Sequence, residues 1–240
     1  MPTSRLAALA TLLLAGTTAG ALASPLTIAS AVGGAATGAI RENFDSLSAG
    51  AVSPQALPSG ITLSFVADAA VVQGNLGGKY AAPFLSNNNG NGFGSPNQAN
   101  GADTTTYLTT GSTGSNAGAA ITLTLPALEK YFGLLWGSVD SYNTLSFYNG
   151  GTLVGAITGA NVIASPNGNQ GANGTTYVNI TSTVAFNRVV ATSSAYAFEF
   201  DNVAFNPTGN VGVPEPASLG LLGAGLLGLR LASRRKPRAA

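Results

Sequence analysis

The stretch TLSFYNGGTLVGAI, residues 144–157, decides the fold. Leu145 and Phe147 share one face of an extended chain, and Ser146 and Tyr148 the other. Asn149, Gly150 and Gly151 then interrupt the pattern, and Asn and Gly tolerate the positive φ that tight hairpin turns demand. The stretch therefore predicts two antiparallel strands joined by a short turn. The same alternation recurs at residues 61–65 (ITLSF), 121–125 (ITLTL), 177–180 (YVNI), 185–191 (AFNRVVA) and 196–205 (YAFEFDNVAF). Pro126 is expected to end the second of these, because proline cannot donate to a ladder. Residues 131–136 (YFGLLW) form a continuous apolar run, as a buried central strand does. The body shows no sustained helical period and no fixed-period repeat. About ten short strands imply an all-β chain built as an antiparallel, jelly-roll-like β-sandwich.

The two ends of the 240-residue chain differ from this body. Residues 1–5 carry one positive charge, residues 6–15 are apolar except for Thr11, and Ala21-Leu22-Ala23 offers a small-x-small cleavage site. These are the parts of a secretory signal peptide, a helix cut off by signal peptidase. Residues 1–23 are read as that signal and residues 24–212 as the mature body.

The formal net charge of +1 comes from the termini. Between residues 24 and 212 only Arg41, Lys79, Lys130 and Arg188 stand against eight acidic side chains. Nothing there could neutralise a run of phosphates, so a nucleic-acid partner is excluded. The chain has no Cys and no His. That removes a disulfide framework, His-liganded zinc and the usual nucleophile–base pairs. The remaining polarity is mostly Asn, Ser, Thr and Gly.

Residues 86–118 form a long polar insertion, with Phe93 and Tyr107 as its aromatics. A sugar-stacking platform would draw on Trp136, Tyr142 and Tyr148, although strand aromatics more often pack in a core. Trp136, inside an apolar run, is expected there. Tyr107 and Phe93, on the loop, are the better candidates. The two sequons at Asn173 and Asn179 are too short a pattern to carry weight in an Asn/Thr-rich chain. Gly223-Ala-Gly225-Leu-Leu-Gly228 spells a dinucleotide fingerprint but lacks a preceding strand, a βαβ unit and a following acid, so it is rejected.

The C-terminus reads VPEPASLGLLGAGLLGLRLASRRKPRAA, residues 213–240. Prolines flank Glu215, an apolar segment follows, and Arg234, Arg235 and Lys236 close it. The apolar segment is short for a span of about 20 residues. The basic cluster belongs on the cytoplasmic side, and the signal peptide places the body on the other. Both ends thus give one topology. The order of the three parts resembles the PEP-CTERM sorting signal of Gram-negative bacteria that make exopolysaccharide. The resemblance implies a transient helix in the inner membrane and cleavage by an exosortase that recognises Pro214, Glu215 and Pro216. It also implies release of the body into the envelope or the extracellular biofilm matrix. Prolines keep the recognition segment extended, where a peptidase can grip it. The body is similar to the globular domain of exosortase-dependent surface proteins at residues 42–45 (ENFD), 131–138 (YFGLLWGS) and 198–203 (FEFDNV). That similarity implies a fold and a compartment, not an activity.

Along residues 196–205, Tyr196, Phe198 and Phe200 share one parity, and Val203 and Phe205 the other. The switch at Asp201-Asn202 predicts a β-bulge. Glu42 and Asp45 lie near the other end of the body, and the first and last strands of sandwiches are often neighbours. Glu42, Asp45, Asp201 and Asn202 are then expected to share a Ca²⁺, which takes oxygen ligands. A similarity to calcium-stabilised carbohydrate-binding jelly rolls points the same way. Three functions follow in order: a non-enzymatic surface or matrix protein, a module holding the cell's own polysaccharide, and a glycoside hydrolase. The last would draw on Glu42, Asp140 and Glu199, too small a pool to favour it.

Overall fold

The computed structural model describes residues 24–30, 33–94, 97–113 and 118–209. The signal segment 1–23 and the residues from Pro214 to Lys236 lie outside them. Thirteen strands occur among the described residues. They are β1 (Leu26–Ser30), β2 (Ile40–Glu42), β3 (Gln55–Ala56), β4 (Thr62–Val66), β5 (Ala70–Gln73), β6 (Phe84–Leu85) and β7 (Gly101–Ala102). Then come β8 (Thr106–Thr109), β9 (Ala120–Gly137), β10 (Asn143–Asn149), β11 (Thr152–Thr158), a one-turn helix α1 (Gly159–Val162), β12 (Thr176–Ser193) and β13 (Glu199–Asn206). The described residues are nearly all β, and eleven strands join one antiparallel sheet, seven of them in the order β11-β10-β12-β9-β13-β8-β5. β1 adds to β12, β2 to β13, and β4 to β9 with β3 outside it.

The opening hairpin forms as read. Asn149 faces Thr152 across β10 and β11, and Gly150 turns with φ 56°. Pro126 does not end a strand. β9 runs 18 residues through it, and β12 merges the two segments expected at 177–180 and 185–191 into another 18. The β9–β12 register shifts between Thr181 and Phe186 and again before Arg188. Neither neighbour pairs with Pro126, so no ladder hydrogen bond depends on its missing N–H. On one side of the break, residues 120–124 of β9 pair with β4; on the other, residues 131–137 pair with β13. β9 and β12 thus run through two arms of the sheet.

The arms share a core. Phe132 of β9 meets Phe147 of β10 edge to face, with ring centroids 5.9 Å apart, and Phe147 meets Phe186 at 4.9 Å. Trp136 stacks on Phe198 at 4.4 Å. Each such side chain, fully buried, contributes roughly 1.5–3 kcal/mol of transfer free energy. The bulge in β13 falls where the parity switch placed it. The β13–β9 register shifts between Asp201 and Ala204, and Asn202 takes φ 52°. Phe198, Phe200, Val203 and Phe205 therefore all reach the same core.

A second apolar cluster lies on another face of β9 and β12. Tyr131, Leu135 and Tyr177 pack there against Leu85 and Phe93. The long polar insertion is thus partly structured: it supplies β8 to the sheet, and its Phe93 is a core residue, not a free loop aromatic.

Candidate functional site

β13 positions Glu199 opposite Gly137 of β9 and Thr109 of β8. Its side chain is 2% exposed. One carboxylate oxygen accepts the Ala81 N–H at 3.1 Å, and the other accepts the Ser138 hydroxyl. Ser138 follows β9 directly and takes φ 32°. Burial pushes the Glu199 carboxyl up to about 7, against the pull of the Ser138 and Ala81 hydrogen bonds.

Glu199 floors a pocket of about 270 Å³ whose wall includes Lys79, Tyr80, Asp140, Tyr142 and Tyr196. The Tyr142 hydroxyl lies 2.6 Å from both Asp140 Oδ2 and the Tyr196 carbonyl, which compete for its one proton. Burial raises the Asp140 carboxyl, and the Tyr142 hydrogen bond opposes it. Lys79 Nζ donates to the Tyr196 hydroxyl at 2.9 Å and sits 4.4 Å from the centre of that ring. The pocket joins half-buried tyrosine rings to carboxylate, hydroxyl and ammonium groups. Such a surface suits a neutral ligand with apolar faces and a hydroxyl rim.

Of the aromatics considered as sugar platforms, Tyr142 lines this pocket. Trp136 is core, as expected. Phe93 and Tyr107 are both buried, which corrects their reading as loop platforms. Phe93 packs on Tyr177, and the Tyr107 hydroxyl bonds the Gly74 carbonyl. Tyr148 pairs with Arg188, whose guanidinium lies 4.3 Å from its ring centre. Lys79, Tyr80 and Tyr196 were not legible as one site because two loops far apart in sequence carry them.

The acidic residues divide. Val203 faces Glu42, so the first part of the body does zip against the last strand. Yet the Glu42 oxygens are taken by the backbone N–H groups of Phe44, at 3.1 Å, and Ser59, at 3.4 Å. Asp45 is exposed and bonded to Asn43. Asp201 and Asn202 are fully buried; Asp103, outside the expected set, is the strongest acidic influence on Asp201, and Asp45 lies within electrostatic reach as well. Burial raises the Asp201 carboxyl far above its usual range, and Asp103 adds to the rise. Among the described residues, no three acidic side chains are gathered in a ready-made metal cage.

Beyond β13 the described chain ends at Gly209. The family model of the PEP-CTERM protein-sorting motif matches residues 212–236. The chain carries a PEP-CTERM sorting motif. The match spans Pro214, Glu215 and Pro216 together with Arg234, Arg235 and Lys236. No curated protein matches the chain. A PEP-CTERM motif implies an exported protein whose C-terminal signal is processed by an exosortase. It starts six residues after β13 ends at Asn206, so it follows directly on a strand locked within the sheet. Among the described residues no helix is long and apolar enough to cross a membrane.

Proposed function

We propose that this chain is a non-enzymatic protein of the cell surface or exopolysaccharide matrix. Residues 1–23 direct export, residues 24–212 form the working domain, and residues 213–240 hold it at the inner membrane until an exosortase cuts. The observation that carries this reading is the PEP-CTERM motif at residues 212–236. The two arms of the sheet act as the layers of a jelly-roll-like sandwich, a reading supported by the Phe132–Phe147 contact between them. A purely structural or binding role fits a chain without His or Cys. The direct test replaces Pro214, Glu215 and Pro216 with alanine in the native host and follows the protein through membrane, envelope and medium fractions.

One observation favours a second, compatible reading. The pocket beside Tyr80, Tyr142 and Tyr196 offers ring faces and a polar rim together, as carbohydrate recognition needs. On this reading the body holds the cell's own polysaccharide. Binding of purified matrix polysaccharide to the wild-type chain, weakened by Tyr142→Ala, tests it.

A further inference from the structure

Although the Asn202 backbone N–H lies near its fully buried carboxylate, Asp201 has neither oxygen in a well-formed hydrogen bond. The same is true of Oδ1 of Asn202, also fully buried. The Asp103 carboxyl lies within hydrogen-bonding reach of Asp201 and is only 3% exposed. Uncompensated burial of even one carboxylate costs several kcal/mol. Here two sit together.

The contacts around them close a ring. Gln98 donates to Asp103 Oδ2 at 3.4 Å and accepts from the Asn202 amide. Asp103 Oδ1 accepts the Thr105 N–H at 2.8 Å and the Thr105 hydroxyl at 2.7 Å. Three donors therefore already hold Asp103 as an acceptor. The bulge in β13 gives Asn202 φ 52°, and its amide bonds the same Gln98 that bonds Asp103. Asp201 sits opposite Leu135, on the face covered by Leu85 of β6 and by Phe93 of the insertion.

Two occupants could settle such a cluster. A single proton shared by Asp103 and Asp201 satisfies at most one of the three orphaned acceptors. A cation satisfies all three. We propose that a hard divalent cation, Ca²⁺ in an exported protein, binds between Asp103, Asp201 and Asn202 Oδ1, with water completing its shell. Two carboxylates, an amide oxygen and an irregular frame suit Ca²⁺, which accepts six to eight oxygens in flexible geometry. Mg²⁺ demands an octahedron and dehydrates reluctantly. The ion clamps the polar insertion, through Asp103, to the sheet, through Asp201 and Asn202. Glu42, whose oxygens accept the Phe44 and Ser59 backbone amides, is left out of the proposed ligand set.

The test is a melting series on the full chain with Ca²⁺, Mg²⁺ or EDTA, joined to elemental analysis and limited proteolysis. At a hundredfold excess over Kd, Ca²⁺ is expected to raise the melting temperature by about 5–11 °C. EDTA reverses the shift, and Mg²⁺ gives less of it. One calcium per chain survives gel filtration, and cleavage within residues 86–105 slows when it is present. Asp201→Asn and Asp103→Asn each abolish the calcium shift, whereas Glu42→Gln keeps it. If Asp201→Asn does not fold, Asp103→Asn carries the test. A chain whose melting ignores Ca²⁺ and EDTA holds a shared proton instead, and the proposal falls. A shift lost in Glu42→Gln but kept in Asp103→Asn also overturns the assignment.

Discussion

Glu42 lies directly opposite Val203 in the antiparallel ladder of β2 and β13. Early and late parts of the body are joined there, and β13 is also held by β8 and β9. Every residue of β13 except Asn206 is buried. The last strand is therefore central to the body, and the sorting motif follows it in the sequence.

A chain ending at Gly209 should keep the melting transition of the longer chain, because the cut leaves every strand of the described residues intact. A chain ending at Phe198 removes β13 and should show no cooperative transition. Circular dichroism melts of the two truncations check this.

Trp136 and Phe198 form the tightest ring stack in the core, 4.4 Å between centroids. Trp136→Ala should cost about 3–5 kcal/mol in urea unfolding, the usual range for losing a buried large aromatic. Tyr148→Ala, on the half-exposed face of β10, should cost about 1 kcal/mol or less.

Glu199 gives a pH dependence of known sign. Its carboxyl titrates near 4.5 when unfolded and at about 7 when folded. Below pH 4.5 both states hold the proton, and the stabilisation is complete. Between these values only the folded state does, so stability falls as pH rises and is lost on passing about 7. The full difference is on the order of 3 kcal/mol. Urea unfolding from pH 4 to 8 should show this slope in the wild-type chain, and Glu199→Gln should make it shallower, leaving the share of Asp201 and Asp140, whose carboxyls burial also raises.

The tyrosine pocket predicts binding without turnover. Tyr142→Ala and Tyr196→Ala should each weaken polysaccharide binding by roughly 3- to 10-fold, the value of one aromatic contact. The purified chain should release no reducing sugar. Turnover that vanishes in Glu199→Gln would restore the glycoside hydrolase.

Local pattern made much of the fold legible. The hairpin at Asn149-Gly150-Gly151, the apolar strand around Leu134 and the bulge at Asp201-Asn202 all follow from period-two alternation and its interruptions. Pro126 misled because its effect depends on whether a neighbour needs its N–H, and the register break that removes that need is a long-range property of β9 and β12. The insertion misled for a related reason. Asn and Gly dominate its composition, but Phe93 and Tyr107 have partners, Tyr177 and Gly74, that local sequence does not announce. Asp103 escaped notice because nothing near it marks a strand, and only folding brings it beside Asp201. The tyrosine pocket was legible solely through Tyr142, Asp140 and Glu199, since Lys79 and Tyr196 meet across 117 residues of chain.

The central claim is that the PEP-CTERM motif sorts and releases the body, and intact-mass measurement of the protein recovered from the envelope and medium tests it most directly. The account predicts a mature chain that lacks residues 1–23 and lacks Arg234, Arg235 and Lys236, with replacement of Pro214, Glu215 and Pro216 by alanine leaving uncut protein in the membrane fraction. Mature protein in the medium that still carries Arg234, Arg235 and Lys236 would contradict it.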